Sequence, residues 1–578
     1  MKRFTAIAVM CLVCLVMQAI PAKPGFRKYT QPDGTTLVLE QKGDEWGSWF
    51  ESASGQKYQM DADGYFHEID DVSAQRMMSR MSEIRRRVNG LRTVEFTDMT
   101  HGTRKIPVIL VEFSDVKFSI DTPNESFAAL LNQEGYNGYR NGGATGSVKD
   151  FYVDNSHGAF EPVFDVYGPV TLSQPEEYYG APVYNDAGEK IKNDIQPEVA
   201  LYDGCLLLDS QVDFSQYDYD NDGRIDMVLF YYAGGSQAEG WNPNTIWPHQ
   251  WNMRWSDNEE LKNHQFDGKC LGRYFCTSEL KGNEETNTMC SIGPTCHEFA
   301  HSLGLPDFYD TDYEKHGLAG GAYIFSTMDS GPYLNNSRTP PYFGAIERAL
   351  LGWMELDEIR NIEAGENTLE FIDNNFAFFT GATADNEFFL YEKRGGGKWD
   401  MFLPEGMVVY HVDECKDHQI GDNNAFDLWV NWQSTNMINA YADHPCYMLI
   451  CPPDQSATNY KGEKASEFVF PGSTNTSYYC PVDWQGVKGS LELWDIRLSG
   501  DTILFMAKET SAEEDNYSKD ITEMGYSLIY CKDGDYKVIP GKGKTLKSCT
   551  FTVDNEHVIA DIEYTDGVKE ILETEIVK

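Results

Sequence analysis

Positive charge is scarce in this 578-residue chain: 47 Lys and Arg stand against 91 Asp and Glu, a formal net charge of −44. Such a surface repels phosphate backbones and anionic lipid headgroups, which excludes nucleic-acid or membrane-surface binding as the main role. No run of 18 or more apolar residues occurs, so no integral membrane segment is expected in the mature chain. Neither a Gly-x-Ser-x-Gly elbow, a P-loop nor a dinucleotide fingerprint is present, and serine-hydrolase and nucleotide chemistry lose their support with them. Cysteines number 13, but beyond residue 22 no two form a Cys-x-x-Cys pair, which excludes zinc ribbons and dithiol redox motifs. Some disulfides are expected in an oxidising compartment, and the odd number of cysteines past the leader leaves at least one unpaired. No tandem repeat of fixed period is apparent.

What is present is enough apolar material, 41% of residues, to build several cores. Lys2 and Arg3 precede an apolar run from Phe4 to Met17, with small residues at Ala19 and Ala22. This reads as a signal peptide over 1–22 and predicts a protein that is secreted, or at the cell surface or in the periplasm. Residues 23–95 read as a small unit of hairpin strands, with turns at Asp33-Gly34 and Asp63-Gly64, followed by an amphipathic helix bearing Arg76, Arg80, Arg85, Arg86 and Arg87. It is either a propeptide released near that arginine cluster or an N-terminal β/helix domain. Strands and helices mix over 104–360, beginning with the buried-strand run Ile106–Phe113. Over 361–510, short strands separated by Gly, Pro, Asn and Asp turns suggest a β-sandwich, and 511–578 form a small β-rich end after an acidic linker.

The chemistry is concentrated near the middle. His297 and His301 are four residues apart, so on a helix both imidazoles leave one face and can share one Zn²⁺. Glu298, beside the first of them, is placed as general base for a water at that metal. Gly304 permits the turn that ends the helix, and Asp307 then returns as the third ligand. Chance produces His-Glu-x-x-His with Gly and Asp at these offsets with a probability on the order of 10⁻⁴ in a chain of this length. Asp310 and a glutamate from a later helix, Glu347, are the alternatives for the third position.

The extended pattern resembles that of metzincins, with Asp in place of the usual third His, and Met328 in Ser326-Thr327-Met328-Asp329 is well placed to supply a Met-turn. The fold class expected is therefore α+β: a metzincin-like zinc protease domain, then β-sandwich modules, preceded by a small β-rich pro-region. The segment His297–Asp310 resembles the metal segment of the immune inhibitor A family of secreted zinc metalloproteases, peptidase family M6. Gly146–Tyr152, Val166–Val170, Ile246–His249, Leu351–Trp353 and Phe470–Gly472 are similar to other segments of that family. The resemblance implies a zinc endopeptidase acting on proteins or peptides, with His297, His301 and Asp307 as ligands and Glu298 as base.

A second cation site is suggested by Asp218, Asp220, Asp222 and Asp226, at positions 1, 3, 5 and 9 of an EF-hand-like loop. Gly223 occupies the sharp-turn position and Arg224 the one that offers a backbone carbonyl. Position 12 is Leu229, so Asp213 or a distant residue must complete a Ca²⁺ shell. His249 and His411 read as hydrogen-bonded structural histidines. A non-catalytic, calcium-stabilised adhesin with a relic protease fold is the alternative function, and the intact Glu298 argues against it. A thiolate latency switch is excluded because no cysteine lies between Lys23 and Cys205; an inhibitory N-terminal unit must use bulk or a group such as Asp61, Asp63 or His67.

Overall fold

The computed structural model describes residues 21–44, 47–61, 63–74, 76–78, 98–185, 190–284, 287–311, 317–356, 359–371, 377–381, 387–413, 436, 438–455, 457–460, 464–510, 527–532, 535–553 and 557–575. The apolar run of the leader and the arginines from Arg80 to Arg87 lie outside these residues. Contacts divide the chain into two compact units, residues 1–508 and 509–578.

The first strands are β1 (Arg27–Thr30), β2 (Thr36–Asp44), β3 (Gly47–Glu51), β4 (Lys57–Met60) and β5 (Phe66–Ile69), an antiparallel meander in chain order. Phe50 meets Tyr29 and Phe66 edge-on, and Tyr29 and Phe66 are tilted against each other, with ring centroids 4.9–5.4 Å apart. The meander is tied to the larger body by Asn193, whose Nδ2 donates to the Asp44 carbonyl (2.7 Å), and by Lys190, whose Nζ donates to Ser48 Oγ (2.8 Å).

The body is built on a mixed sheet of β6 (Gly102–Glu112), β7 (Phe160–Thr171), β8 (Arg224–Tyr232), β9 (His249–Asn252) and β10 (Lys269–Ser278). Its order is β9-β10-β8-β6-β7, parallel throughout except for the antiparallel edge strand β9. β8 is apolar at nearly every position because both faces are covered. Leu229 and Tyr231 enter one core, and Val228, Phe230 and Tyr232 enter the other. Helices α1 (Pro123–Asn132), α2 (Val148–Asn155) and α4 (Ile292–Leu303) fill the first core, and α3 (Pro197–Leu208) fills the second. From α4, Phe299 stacks on Phe275 of β10 (5.7 Å) and meets Phe164 of β7 edge-on (5.5 Å), which fixes how the helix lies under the sheet.

Residues beyond 360 form two facing sheets. One contains Arg360–Asn361, β12 (Ala377–Gly381), β13 (Glu387–Arg394), β14 (Gly406–Asp413) and β15 (Tyr447–Leu449); the other contains β11 (Gly365–Leu369), β17 (Thr502–Glu509) and β16 (Leu491–Ser499). Phe389, Tyr391, Met407 and Val409 meet Leu493, Ile503 and Phe505 between the sheets. The alternate residues Phe388, Leu390, Val408, Tyr410 and Val412 project the other way, into the same core as α4. A strand pair buried on both faces thus joins the sandwich to the helical body, and all of it belongs to the first compact unit. Polar groups strengthen that joint. Arg394, fully buried, pairs with Asp400 (2.6 Å) and donates to the carbonyls of Phe325 (3.0 Å) and Tyr342 (2.9 Å). Glu392 Oε1 accepts from the amide of Ala345 (2.7 Å), at the start of α5 (Ala345–Leu350).

The second unit holds a hairpin of β18 (Leu528–Lys532) and β19 (Asp535–Ile539) and a three-stranded antiparallel sheet of β20 (Leu546–Val553), β21 (His557–Tyr564) and β22 (Lys569–Glu575). Ala560, Ile562 and Tyr564 form its small core. No helix among the described residues is long and apolar enough to cross a membrane. No disulfide joins any two of the nine cysteines whose state the structure describes, from Cys205 to Cys549, so the expected disulfides are absent among them.

Candidate active site

α4 opens with Ile292, Gly293 and Pro294, and a proline in the first turn sacrifices no intrahelical bond. One turn later His297 and His301 present perpendicular rings with centroids 4.5 Å apart. His297 Nδ1 donates to the Thr327 carbonyl and His301 Nδ1 to the Leu305 carbonyl, each at 2.8 Å. A carbonyl only accepts, so each Nδ1 carries the hydrogen and each Nε2 of the neutral ring offers a lone pair. Burial lowers the pKa of His301, which favours that neutral form. The two Nε2 atoms are 2.9 Å apart.

Gly304 ends the helix at φ 117°, in the left-handed region that favours glycine. Its amide and that of Leu305 donate back to the Ala300 carbonyl, each at 3.1 Å. The turn returns the chain so that Asp307 Oδ1 lies 3.4 Å from His297 Nε2 and 3.2 Å from His301 Nε2. Asp307 Oδ1 has no hydrogen-bond donor among the described residues. Two imidazole nitrogens and one carboxylate oxygen, all acceptors, converge on one point, and this donor set fits a zinc-sized divalent cation.

Support for these groups comes from distant segments. Asn436 Nδ2 donates to Asp307 Oδ2 (2.6 Å), and Asn436 Oδ1 accepts from the Asp307 amide (2.7 Å). Met328 is buried in the first core; its carbonyl accepts from the Phe308 amide (2.9 Å) and its amide donates to Ser326 Oγ (2.9 Å). The turn around Met328 therefore touches both the His297 side, through Thr327, and the Asp307 side, through Phe308. Glu298 is buried on α4, and its charge is among the influences that raise the Tyr333 hydroxyl and the Cys276 thiol, after burial itself.

The alternative third ligands are engaged elsewhere. Glu347 Oε1 accepts from Ser326 Oγ (2.7 Å) and its Oε2 from the Gly344 amide (2.5 Å), so it caps α5 rather than facing the histidines. Asp310 Oδ2 accepts from the Ala319 amide (3.1 Å). His249 bonds the Trp247 carbonyl and the Tyr274 hydroxyl, and His411 bonds Glu387. Asp61 Oδ1 accepts from the Asp63 amide (3.0 Å) and its Oδ2 meets His67 (2.6 Å) in the β4–β5 turn, and none of the three joins the His297 group.

Asp218, Asp220 and Asp222 do converge, on a loop whose backbone turns at Asn221 (φ 59°) and Gly223 (φ 89°). Asp218 also pairs with Lys269 (2.5 Å), and Asp222 pairs with Arg254. Asp226 Oδ2 accepts from the Tyr219 amide (2.7 Å); burial, with Asp220 and Asp218 beside it, pushes its carboxyl up to about 7. Arg224 starts β8, its amide donating to Asp222 Oδ1 (2.8 Å). Leu229 lies in the core of β8, and Asp213 caps the Phe214–Tyr217 turn through the Ser215 amide (3.2 Å).

Comparison with known proteins matches residues 93–349 to the family described as "Immune inhibitor A peptidase M6, catalytic domain". Residues 93–349 are therefore similar to the catalytic domain of M6-type metalloproteases. The chain is 27% identical over 259 residues to "Immune inhibitor A" of Bacillus thuringiensis subsp. alesti, a match covering 40% of this chain and 36% of that protein. It is 25% identical over 264 residues to "Pre-pro-metalloprotease PrtV" of Vibrio cholerae serotype O1, covering 40% of this chain and 27% of that protein. The matched segments span about a third of the length of these curated relatives. The M6-like segment contains α4, Asp307 and Met328 but stops short of Asn436, which sequence reasoning also missed; it lies in no motif, and only the folded contact with Asp307 reveals it.

Proposed function

We propose that the protein is a secreted zinc endopeptidase that hydrolyses peptide bonds in proteins or peptides. The observation that carries this reading is the convergence of His297 Nε2, His301 Nε2 and Asp307 Oδ1 beside Glu298, within the M6-like segment. Zinc held by these three atoms supplies Lewis acidity, polarising a peptide carbonyl and acidifying a water. The Thr327 and Leu305 carbonyls fix the tautomer of the histidines, and Asn436 fixes the carboxylate of Asp307. Glu298 takes the proton from the attacking water and delivers it to the leaving amine. Met328 serves as a packing base, and the N-terminal unit over 23–95 keeps a precursor latent. Asp218, Asp220, Asp222 and Asp226, with the Arg224 carbonyl, hold a structural Ca²⁺. The relic-adhesin alternative is disfavoured because it places no demand on Glu298. Casein digestion by the processed wild type and by Glu298→Ala, with zinc content measured in both, tests the reading. Expected are equal zinc and a loss of cleavage of about a hundredfold or more in the variant. Undiminished cleavage by Glu298→Ala would refute it.

A further inference from the structure

The β1–β5 meander turns one face toward the body, and that face does not close on it. Arg27 and Tyr29 alternate on β1 with the exposed Lys28 and Thr30, and Gln41 stands opposite Phe50 across β2 and β3. With Phe66 these side chains wall one side of a cavity of about 720 Å³. The other side comes from Lys190 and from Gly240, Trp241 and Asn242 in the loop after β8. Gly240 keeps the space open. It sits at φ 85°, and a Cβ there would stand 2.8 Å from Arg27 Nη1 and 3.4 Å from the Tyr29 hydroxyl. Arg27 Nη1, the Tyr29 hydroxyl and Gln41 Oε1 have no hydrogen-bond partner among the described residues, although Gln41 is only 4% exposed. A buried amide oxygen without a donor costs stability, which a ligand hydroxyl would restore.

The walls carry three kinds of group. Tyr29, Phe66 and Trp241 bring aromatic rings. Trp241 is held rigidly, its Nε1 donating to the Gly282 carbonyl (2.5 Å) and its ring filling the place of a Cβ at Gly235. Gln41, Gln59, Asn242 and Asn283 bring amides, which both donate and accept as sugar hydroxyls do. The charges run against those of the chain as a whole: Arg27, Lys28 and Lys190 face a single carboxylate among the described lining residues, Glu284. Glu284 itself accepts from the Asn242 amide (3.3 Å). Lys190 Nζ donates to Ser48 Oγ (2.8 Å), and lost hydration pushes its ammonium down to about 8, so an anion beside it would favour the charged form. Rings suit the C–H faces of a sugar, amides its hydroxyls and cations a carboxylate, whereas an extended peptide would seek a free strand edge. We propose that this cavity binds an acidic oligosaccharide, its carboxylate meeting Arg27 and Lys190 and its hydroxyls meeting Gln41 and the neighbouring amides. Because one wall is the N-terminal unit and the other the body, the ligand holds the two together. On the latency reading above, it therefore prolongs latency.

Calorimetry on the full chain carrying Glu298→Ala, to prevent self-cleavage, tests the site without calling on catalysis. A hyaluronan tetrasaccharide should bind at least about tenfold tighter than its carboxyl-reduced, neutral form. Arg27→Gln should bring that ratio below about threefold. Gln41→Leu should weaken both sugars by about threefold or more, yet leave Tm undiminished, because it removes a polar group that has no partner in the fold. No measurable binding of the tetrasaccharide, equal affinity of its two forms, a ratio that survives Arg27→Gln or an affinity that survives Gln41→Leu would each overturn the proposal. So would tighter binding of the dipeptide Tyr-Glu than of the tetrasaccharide, which would make this a peptide site. The link to latency fails separately. In the chain with Glu298 intact, tetrasaccharide at a hundred times its dissociation constant should slow release of the N-terminal unit about a hundredfold. Unchanged release with binding intact would overturn that link and leave the saccharide site standing.

Discussion

Asn436 grips Asp307 twice, side chain to carboxylate and side chain to main chain, at 2.6 and 2.7 Å. Both partners are fully buried, and Asn436 sits at φ 54°, a left-handed conformation that asparagine tolerates better than most residues. The pair orients a carboxylate that faces both histidines.

Loss of that grip should loosen the metal. In Asn436→Ala, zinc affinity measured by competition with a chromogenic chelator should fall by about 10- to 100-fold, as for other partners of metal ligands. An unchanged affinity would mean Asp307 is held well enough by the Gly304 turn alone.

The third ligand itself can be tested against its rivals. Asp307→Ala should lose zinc affinity by at least about tenfold, more than Asn436→Ala does. Glu347→Gln should keep zinc within a few-fold of wild type, because its oxygens are taken by Ser326 and Gly344. Zinc loss in Glu347→Gln with zinc retained in Asp307→Ala would reverse the assignment.

The acidic loop should respond to both calcium and pH. At a hundred times its dissociation constant, Ca²⁺ should stabilise the wild type by roughly 2.7 kcal/mol, and Asp220→Ala should lack the response. Asp226 gives the pH direction. Its folded carboxyl titrates near 7, above the ordinary 3.8, so between those values the folded chain holds a proton that the unfolded chain releases. Without calcium, this group's contribution is therefore most favourable at low pH and is lost as pH rises toward 7. Calcium needs the ionised form, so the rise in Tm on adding calcium should be larger at pH 8 than at pH 5.5. A calcium shift independent of pH would exclude Asp226 from the site.

The joint between sandwich and helical body should be costly to break from one side. Arg394→Ala removes the cation but leaves Asp400 and Glu392 buried, and unfolding in urea should show a loss of about 3–5 kcal/mol. Arg394→Lys should recover only part of this, since one ammonium cannot reach the carbonyls of Phe325 and Tyr342 and both carboxylates at once. A loss below about 1 kcal/mol in Arg394→Ala would show that the network is incidental.

The site was legible in the sequence wherever chemistry follows helical spacing. His297, Glu298 and His301 declare themselves by their offsets, and Gly304 announces the turn that returns Asp307. Strands such as β6 and β14 were equally readable as apolar runs. The sandwich's attachment was not. The Glu392-Lys393-Arg394 end of β13 has the composition of a solvated strand terminus, yet all three side chains are buried. That burial is made tolerable by Asp400 and Glu405, by the Ala345 amide and by the Phe325 and Tyr342 carbonyls, and the last three lie 47 or more residues from their partners in β13. Asn436 was invisible for the same reason, since a single asparagine between polar residues carries no period.

The reach of Asn436 across the fold has a consequence for how such a centre can be inherited. The segment matching the peptidase family ends at residue 349, so a gene fusion or an excised fragment drawn to that limit would carry both histidines, the glutamate and the Asp307 carboxylate. It would leave behind the clasp that aims that carboxylate, together with the strands that wall in the Met328 turn. The compact unit that holds both Asp307 and Asn436 runs to Lys508, well past the end of the matched segment.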